Sequence, residues 1–360
     1  MVADALAVVI PTRLAADLGG AGFHGRGIEA GLSPTLQLPP MPFDLSALDG
    51  TGASGLFSPR MPSPPLGSLH ALLRYPVKSM AGEALTSVAV LAEHGLQGDR
   101  AYGVLDLDTG RIASAKQARR WSALLGFHAR FTGALADGRH HGPLAIALPD
   151  GTTVSSDDGD LDRSLSQAIG RPVRLTATPP VGQAEYRAES EDGDDKPMGV
   201  GAAPGTFFDF APIHLVTTAS LSHLHALQPA SRFDVARFRP NLVIDTGDAR
   251  GFVENDWVGR TLAIGDEVQL CVTFPCPRCV MTTLAQDDLP ADPDVLRTAA
   301  RHNTQWFALL ARSMPVVGAY ATIVRGGTLR LGDRVRLLGR TPLRRASAVL
   351  HAVKRAVRRG

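Results

Sequence analysis

Short runs of alternating apolar and polar residues dominate the chain from residue 69 onward. A strand with one buried face shows this period of two, and Gly, Asp and Pro separate the runs as they separate strands from turns. Asp108, Thr109 and Gly110 have the composition of a hairpin turn, because Asp and Gly tolerate positive φ. The pattern therefore predicts a first region that is mostly β. Its strands are predicted at residues 69–74, 86–91, 101–107, 111–114, 127–132 and 144–148.

Helical periodicity is confined to a few segments. In the first region it covers residues 116–125 and 160–169, and Gly170 followed by Pro172 is a typical helix end. A second region repeats the mixture of strands and helices. Its elements are predicted as strands at residues 213–217, 242–246, 267–274 and 318–324 and as helices at residues 220–227 and 294–311.

Residues 259–270 and 326–337 resemble each other. Each segment has the pattern of a strand, a Gly-Asp turn at Gly265 or Gly332, and a second strand. Alternating Leu, Ile and Val would bury one face of each strand, and two copies are too few for a solenoid. The repeat therefore favours a β-barrel-like second domain.

Composition divides the chain further. Residues 1–67 are rich in Gly, Pro and Ala without sustained periodicity, which predicts a mostly disordered leader. Residues 187–205 have the acidic, Gly-rich composition of a solvated linker or loop. The predicted layout is a leader at 1–67, a first domain at 68–186, a linker or loop at 187–205, a second domain at 206–339 and a basic tail at 340–360.

Composition and charge exclude several classes of protein. Hydrophobic residues make up 44% of the chain and charged residues 20%, which is ordinary for a globular protein, and no uncharged apolar run is long enough to span a bilayer. A net charge of +2 argues against a nucleic-acid-binding protein. The three cysteines all lie between Cys271 and Cys279, which argues against a disulfide framework and for a reducing compartment, so we expect the cytoplasm.

The segment from Cys276 to Cys279 is the most informative stretch for chemistry. Two thiols flank Arg278, whose charge suits a thiolate, and a thiolate is a soft ligand for a transition metal. On spacing alone three other interpretations stay open. They are a zinc site, for which a second cysteine pair is missing, a redox-active dithiol, and an inert buried cysteine, the commonest case for an arbitrary cysteine.

Basic and hydroxyl side chains recur in the predicted loops. Arg binds phosphate through bidentate hydrogen bonds and Lys adds a point charge, so such a set suits a phosphorylated ligand. Each residue alone also has a common structural role, as a solvated lysine, a surface ion-pair partner or a helix N-cap. The residues are Lys78, Ser79, Arg100, Thr217, Thr218, Arg239 and Asn241.

Five motifs, taken together in order and separation, resemble the MOSC family, the molybdenum cofactor sulfurase C-terminal type, with the N-terminal β-barrel domain of one of its branches. The resemblance covers roughly residues 69–338. It implies a mostly β (α+β) fold, with an N-terminal β-barrel-like domain followed by a MOSC β-barrel domain with peripheral helices. The motifs are Tyr75-Pro76-Val77-Lys78-Ser79, Gly95-Leu96-Gln97-Gly98-Asp99-Arg100, Arg237-Phe238-Arg239-Pro240-Asn241, Pro275-Cys276-Pro277-Arg278-Cys279 followed by Thr282-Thr283, and Leu329 with Gly332-Asp333.

The resemblance also implies roles for individual residues. Cys279 corresponds to the catalytic cysteine that binds molybdenum, whereas Cys276 belongs to the motif without binding the metal. Binding of pyridoxal phosphate is left open. The positions at which the family binds the pterin and phosphate of the molybdenum cofactor (Mo-molybdopterin) are Lys78, Ser79, Arg100, Thr217, Thr218, Arg239 and Asn241.

By the same resemblance we expect an oxidoreductase that reduces N-hydroxylated or N-oxide-type small molecules. Three cysteines are too few for the four-cysteine [2Fe–2S] module of some bacterial relatives. Electrons are therefore expected from a separate protein, such as a ferredoxin, a cytochrome b5-like protein or a flavoprotein reductase. One alternative is a protein that binds or carries the cofactor, or its sulfur, without turnover. Another keeps the fold but uses Cys276 and Cys279 as a metal-free dithiol.

Residues 340–360 form a basic tail without acidic residues. Apolar residues at helical spacing between Leu343 and Val357 are compatible with an interfacial amphipathic helix, which would make a weak membrane-surface contact, or with a docking site for an acidic electron carrier. A solvated basic tail is the other interpretation.

Overall fold

The computed structural model describes residues 65–177 and 207–340, except for residues 93 and 308–311, together with the backbone of two short strands at residues 187–189 and 195–197. The predicted leader lies outside the described residues apart from positions 65–67, and so does the tail beyond Arg340. Of the predicted acidic linker, only the two short strands are described, and they pair as an antiparallel hairpin.

Strands make up most of the described chain, as the alternating pattern predicts. The strands are β1 (Pro65–Arg74), β2 (Glu83–Leu85), β3 (Ser87–Leu91), β4 (Gly95–Leu96), β5 (Gly103–Asp106), β6 (Arg111–Ile112), β7 (His128–Phe131), β8 (Leu144–Ala147), β9 (Thr153–Ser155), β10 (Val173–Thr176), β11 (Arg187–Glu189), β12 (Asp195–Pro197), β13 (Ile213–Thr217), β14 (Leu242–Asp245), β15 (Arg260–Ile264), β16 (Val268–Pro277), β17 (Thr304–Phe307), β18 (Arg312–Arg325), β19 (Gly327–Arg330) and β20 (Arg334–Arg340). The helices are α1 (Ala118–Trp121), α2 (Leu161–Ile169), α3 (Thr218–Leu227), α4 (Val235–Phe238) and α5 (Asp294–His302), with 3₁₀ segments at Ser122–Gly126, Val253–Trp257 and Val280–Thr283.

Seven strands close into a barrel. Their order is β13-β14-β1-β20-β15-β16-β18, and pairing of β13 with β18 closes the ring. Only the β13–β14 pair is parallel among these pairings. The inward face of the barrel is apolar, with Leu215, Leu262 and Leu270 each 0% exposed. Each fully buried side chain of this size contributes ~1.5–3 kcal/mol to folding. Burial of this apolar face therefore stabilises the barrel.

The first region forms two small sheets around a second core. One sheet has the order β10-β5-β6 and the other the order β7-β8-β9. Trp121, Phe127 and Ile146 are buried between them at 2%, 0% and 0% exposure. The prediction of a mostly β fold, with a β-barrel-like first domain and peripheral helices, is confirmed.

Strands of the first region also pair with strands of the second. The first strand, β1, lies between β14 and β20 in the seven-stranded barrel, and β3 pairs with β19. The two regions that follow each other along the chain therefore share paired strands and do not form two separate sets. The loops that follow β1 and β4 contact the segment before β14, because Arg239 Nη2 donates to the Met80 carbonyl and Arg100 Nη2 donates to the Arg239 carbonyl.

The two similar segments have different pairings. In the first segment, β15 and β16 pair with each other as a hairpin. In the second, β19 pairs with β3 and β20 pairs with β1 and β15. The repeat thus predicts each strand and turn correctly but not the partners, because pairing depends on strands distant in sequence.

Two predicted helices are shorter in the structure. The helix predicted at residues 294–311 ends at His302, and the chain continues as β17, which pairs with β18. Asn303 stops the helix, because its Nδ2 donates to the Val316 carbonyl at 2.9 Å and its own carbonyl accepts the Val316 N–H at 2.8 Å. The helix predicted at residues 116–125 is a single α turn followed by a 3₁₀ turn. Beyond His302, pairing of β17 with β18 thus replaces the helical hydrogen bonds.

Within the described residues, no helix combines the length and the apolar character needed to cross a membrane.

Candidate functional site

One cavity collects residues from both regions of the chain. Its volume is about 950 Å³ including its open mouth. One group of lining residues is cationic: Lys78, Arg100, Lys116, Arg237, Arg239 and Arg278. A second group is aromatic or apolar: Phe207, Phe208, Phe210, Phe238, Met281, Met314 and Tyr320. A cavity with a basic part and an apolar part suits a ligand that is itself amphipathic and anionic at one end.

The structure brings six of the eight sequence-predicted site residues to this cavity. They are Lys78, Ser79, Arg100, Arg239, Asn241 and Cys279. Their convergence required the packing described above, because they follow strands or helices far apart in sequence. Thr217 and Thr218 are not among the residues that line it.

Both threonines have other contacts. Thr217 is fully buried, and its Oγ1 accepts the Ser220 N–H at 3.1 Å, which caps α3, while it donates to Glu254 Oε2 at 2.7 Å. Thr218 Oγ1 donates to Asp245 Oδ1 at 3.1 Å. These contacts stabilise the start of α3. Neither threonine is brought to the cavity, and their predicted contact with a cofactor stays a prediction.

Left-handed backbone is concentrated at the cavity. Ser79, Arg100 and Arg239 have φ values of 68°, 48° and 53°, and Asp287 is the one other non-glycine residue in the described chain with a positive φ. This conformation costs an L residue roughly 1–2 kcal/mol. Such strain persists where surrounding contacts impose it, and it is common at binding sites. The three residues are thus held in unusual conformations at the place where the sequence predicts ligand contacts.

A carboxylate lies between two lysines of the cavity. Asp209 Oδ1 accepts from Lys78 Nζ at 2.7 Å, and Asp209 Oδ2 pairs with Lys116 Nζ at 2.7 Å. Burial alone would raise the pKa of Asp209, but Lys116 and Lys78 outweigh burial and hold that pKa well below its usual range. Burial lowers the pKa of Lys78, and Asp209 opposes that effect. Asp209 therefore stays ionised and offsets part of the lysine charge.

Two arginines of the cavity are fixed by backbone carbonyls and one carboxylate. Arg100 Nη1 pairs with Asp99 Oδ2 at 2.5 Å, and its Nη2 donates to the Arg239 carbonyl at 3.3 Å. Arg239 Nη2 donates to the Met80 carbonyl at 2.6 Å. Burial lowers the pKa of Arg239 to about 10, with Arg100 adding to the decrease. Arg239 thus remains protonated at neutral pH.

The cavity keeps an excess of positive charge. Arg239 and Arg278 form no ion pair with a carboxylate in the part of the chain that the structure describes. Asp99 and Asp209 offset only some of the other cations. An unpaired guanidinium in a partly buried place is a strong binding partner for phosphate. The geometry therefore suits an anionic ligand.

The two cysteines of the Pro-Cys-x-Arg-Cys motif occupy different environments. Cys276 lies in β16, is 0% exposed and has its Sγ 2.9 Å from Arg278 Nη1. Burial raises the pKa of Cys276, against the opposing charge of Arg278. Cys279 follows the end of β16, is partly exposed and lines the cavity. Of the two, Cys279 is the one whose sulfur a ligand can reach.

A buried arginine holds the turn that follows Cys279. Arg237 is 1% exposed, and its guanidinium donates to the carbonyls of Thr282 at 3.2 Å, Leu284 at 3.3 Å, Pro290 at 2.7 Å and Arg232 at 2.9 Å. Cys279 begins the 3₁₀ turn of this segment, and its carbonyl accepts the Thr282 N–H at 3.2 Å. Arg237 therefore fixes the backbone next to the cysteine.

Three further lining residues are neutral. Asn241 joins β13 to β1, because its Oδ1 accepts the His214 N–H at 3.1 Å and its Nδ2 donates to the Leu73 carbonyl at 3.3 Å. Burial, aided by Arg278, lowers the pKa of His214 well below its usual value, so the ring is uncharged. Burial raises the pKa of Tyr320 well above 10, so its hydroxyl keeps its proton.

Sequence reasoning missed several residues of the cavity. Lys116 lies inside a predicted helix and not in a predicted loop. Asp209 follows the predicted linker, in an aromatic run. A lone carboxylate between Phe208 and Phe210 is a detectable pattern, since an isolated charge in an apolar segment usually needs a partner. Its partners, however, are distant in sequence and only the fold reveals them.

Cys279 is a soft potential metal ligand without protein partners of the same kind. No group of three or more His, Cys, Asp and Glu side chains that could hold a metal ion occurs in the described ranges. The sulfur of Cys279 and the basic lining have the chemistry to hold a metal cofactor that carries its own sulfur ligands and a phosphate.

Two family models match the chain. The model of the MOSC N-terminal beta barrel domain matches residues 66–154, and that of the MOSC domain matches residues 203–336. Together the two matched ranges include every residue that lines the cavity.

Several proteins are similar to parts of the chain. Mitochondrial amidoxime reducing component 2 of Rattus norvegicus is 36% identical over 131 residues, which are 35% of this chain and 37% of that protein. Mitochondrial amidoxime-reducing component 1 of Homo sapiens is 31% identical over 137 residues, 37% of this chain and 39% of that protein. Molybdenum cofactor sulfurase of Drosophila mojavensis is 27% identical over 243 residues, 65% of this chain and 30% of that protein. Each match thus spans well under half of the relative's length.

Among solved structures, the YUAD protein from Bacillus subtilis overlaps with 75% of this chain and 94% of its own, at a TM-score of 0.37 and 11% identity. YiiM from Geobacillus stearothermophilus overlaps with 43% of this chain and 72% of its own, at a TM-score of 0.26 and 12% identity. At these TM-scores the overlaps have no bearing on the site. On the two family models, the chain belongs to the MOSC-domain proteins and carries a MOSC N-terminal β-barrel domain ahead of its MOSC domain.

Proposed function

We propose that the protein is a molybdenum-cofactor-dependent oxidoreductase that reduces N-hydroxylated or N-oxide-type small molecules. The observation that carries the proposal is the position of Cys279, a partly exposed residue that shares one cavity with a set of mostly half-buried cations. The names of the amidoxime-reducing relatives support the reaction type. A cavity without a reachable thiolate would not support it.

The proposal assigns two tasks to the lining residues. The thiolate of Cys279 binds the metal, and Lys78, Ser79, Arg100, Arg239 and Asn241 bind the pterin and phosphate. Arg239 makes the largest electrostatic contribution among these, because no carboxylate in the described chain neutralises it. When bound, the cofactor supplies the two-electron redox chemistry of the reaction.

The apolar part of the cavity is the proposed substrate side. Phe210, Met314 and Tyr320 line it, and apolar walls exclude water and hold a flat substrate in a fixed orientation. In the net reaction the N–O bond breaks and oxygen leaves as water; an N-hydroxy substrate gains one N–H and one O–H bond, whereas reduction of an N-oxide forms two O–H bonds. Two electrons and two protons are consumed for each substrate.

We propose that a separate redox protein supplies the electrons. Candidates are a ferredoxin, a cytochrome b5-like protein or a flavoprotein reductase, each of which delivers electrons to a bound cofactor through transient contact. Titration of the purified protein with each reduced donor, followed by product formation, identifies the class. A donor that reduces substrate only when this protein is present supports this part of the proposal.

Metal content tests the assignment of Cys279. The chain is expressed in a host that makes the cofactor, as wild type, as Cys279→Ala and as Cys271→Ala. We expect about one molybdenum per chain in the wild type and in Cys271→Ala, because Cys271 is buried in β16 and does not line the cavity. We expect loss of the metal in Cys279→Ala. Full occupancy in Cys279→Ala would overturn the assignment.

Reduction of benzamidoxime with an artificial electron donor tests the reaction itself. A second candidate function, a carrier that binds the cofactor or its sulfur without turnover, is favoured by the match to molybdenum cofactor sulfurase, which covers 65% of this chain. Stoichiometric cofactor with no turnover under any reductant or N-oxygenated substrate would select the carrier. Turnover that depends on Cys279 would select the reductase.

A further inference from the structure

Two arginines of the cavity lie against the aromatic ring of Tyr75. The guanidinium carbon of Arg239 is 4.3 Å from the ring centroid and that of Arg100 is 4.6 Å from it. Tyr75 is 5% exposed and is not among the residues that line the cavity. A ligand in the cavity therefore contacts the arginines, while the tyrosine lies behind them.

The backbone of Tyr75 also holds Arg100. The Arg100 N–H donates to the Tyr75 carbonyl at 2.7 Å. The Tyr75 N–H donates to Asp99 Oδ1 at 2.8 Å, and Asp99 Oδ2 pairs with Arg100 Nη1 at 2.5 Å. Tyr75 thus interacts with Arg100 in three ways. It accepts a main-chain hydrogen bond from Arg100, its ring contacts the guanidinium, and both residues bind the carboxylate of Asp99.

Two guanidinium groups this close repel each other. The charge of Arg100 contributes to the lowered pKa of Arg239. Asp99 compensates Arg100, but no carboxylate of the described chain pairs with Arg239. The electron-rich face of a buried aromatic ring attracts a cation. Tyr75 is therefore the group in position to hold Arg239 and Arg100 close together despite this repulsion.

The ring also bridges the two regions of the chain. Arg100 belongs to the first region and follows β4, whereas Arg239 lies after α4 in the second region, and both have left-handed backbone. Tyr75 follows β1, the strand of the first region that lies in the seven-stranded barrel. One side chain thus contacts two cations that approach the cavity from different parts of the fold.

We propose that Tyr75 is a positioning residue that holds Arg100 and Arg239 at the spacing needed to bind the phosphate of the ligand. The proposal rests on the proposed function for the identity of the ligand, but its test needs only an inorganic anion. Because Tyr75 acts through the face of its ring, its hydroxyl is dispensable. Substitution by Phe keeps the effect and substitution by Leu removes it.

Pyrophosphate binding to the full chain, made in a host that lacks the cofactor, measures the effect by calorimetry at low ionic strength. We expect Tyr75→Phe to bind within about twofold of wild type and Tyr75→Leu at least about tenfold more weakly, since two cation–π contacts are lost. Tyr102→Leu is the matched control, because Tyr102 is a partly buried tyrosine of the first region that does not line the cavity. Its pyrophosphate affinity should equal that of wild type.

Phenylalanines with one, two and three ring fluorines, placed at position 75 by nonsense suppression, keep the size of the ring and weaken only the charge on its face. A stepwise loss of pyrophosphate affinity with each fluorine is expected, and a purely structural role of the ring would give none. This series also decides the question if Tyr75→Leu fails to fold.

Equal affinity across the fluorinated series, or equal loss in Tyr75→Phe and Tyr75→Leu, would overturn the role of Tyr75. Absence of pyrophosphate binding by the wild-type chain would overturn it together with the phosphate assignment. A graded series in a chain that never acquires molybdenum would instead uphold the role of Tyr75 and reject the proposed function.

Discussion

The basic side and the sulfur side of the cavity are built in different ways. The basic side, formed by Lys78, Ser79, Arg100, Lys116 and Asp209, consists of charged groups on loops, paired with carboxylates and in part held on left-handed backbone. The sulfur side is the end of a barrel strand followed by a short turn that a buried arginine anchors. That side is formed by Arg237, Cys276, Arg278 and Cys279.

The difference teaches how each side can respond to a ligand. Ion pairs on loops can exchange one anion for another at low cost, because the cations keep a partner throughout. A sulfur atom fixed by a strand and by a buried hydrogen-bond network has little freedom. The basic side is therefore adapted to recognise charge, and the sulfur side is adapted to place one atom.

The largest expected effect concerns the thiols of the sulfur side. In the cofactor-free chain, one thiol should react rapidly with an aromatic disulfide reagent, and the two buried thiols at least about 100-fold more slowly, because they are reached only by local opening. Cys279→Ser should remove the rapid phase, whereas Cys271→Ser should leave it intact. A rapid phase that persists in Cys279→Ser would show that the strand end is not rigid.

Arg237→Met tests the anchor of the sulfur side. Four backbone carbonyls would lose their donor in a buried place, so the free energy of unfolding should fall by about 3–5 kcal/mol. Urea denaturation measures the change. Arg232→Met is the matched control, because Arg232 is half exposed, and it should change stability by less than about 0.5 kcal/mol. A loss below about 1 kcal/mol in Arg237→Met would contradict the comparison.

Asp209→Asn tests whether the basic side exchanges anions. Without the carboxylate, Lys78 and Lys116 lose their internal counter-ion and should bind pyrophosphate about three- to tenfold more tightly. Asp288→Asn is the control, since Asp288 pairs with Arg232 at the surface, and its affinity should not change. Weaker binding by Asp209→Asn would show that the carboxylate orients the lysines and does not compete with the ligand.

The smallest effect concerns pH and His140, which lies beside the loop of the basic side. Burial, followed by the charges of His94 and His141, lowers the pKa of His140 to about 4 from 6.5, and its Nδ1 accepts the Gly98 N–H at 3.1 Å. The unfolded chain therefore binds a proton that the folded chain does not, and stability should decrease as pH falls from about 6.5 to about 4. His140→Asn should reduce this slope in thermal unfolding scans. An unchanged slope would exclude His140 as its source.

Much of the fold and part of the site could be predicted from the sequence. Short, largely apolar runs at residues 213–217 and 242–246 predict β13 and β14 almost to the residue, because such runs are a local property of buried strands. The end of helix α2 is predicted correctly, because glycine readily adopts the left-handed conformation that ends a helix, and Gly170 has that conformation. The helix predicted at residues 294–311 is too long, since the pairing of β17 with β18 has no trace in local periodicity.

The candidate site shows the same division. The sequence motifs predict Arg100 and Arg239 as site residues, and in the structure both guanidinium groups contact the ring of Tyr75. Asp209 was missed because its two lysine partners are distant in the chain. Thr217 has the hydroxyl that a cofactor site needs, yet its hydroxyl is used to cap α3 and to bind Glu254. Residue type predicts what a side chain can bind but not which partner it has.

The sequence by itself determined the strands, the main turns and the order in which basic, hydroxyl and thiol residues follow one another. These properties depend on periodicity and on side-chain chemistry, which are local. Only the tertiary structure decided that β1 enters the barrel of the second region, that Cys279 is reachable whereas Cys276 is not, and that Tyr75 faces two arginines. Burial, strand pairing and the balance of charges arise between residues far apart in sequence, and they exist only once the chain has packed.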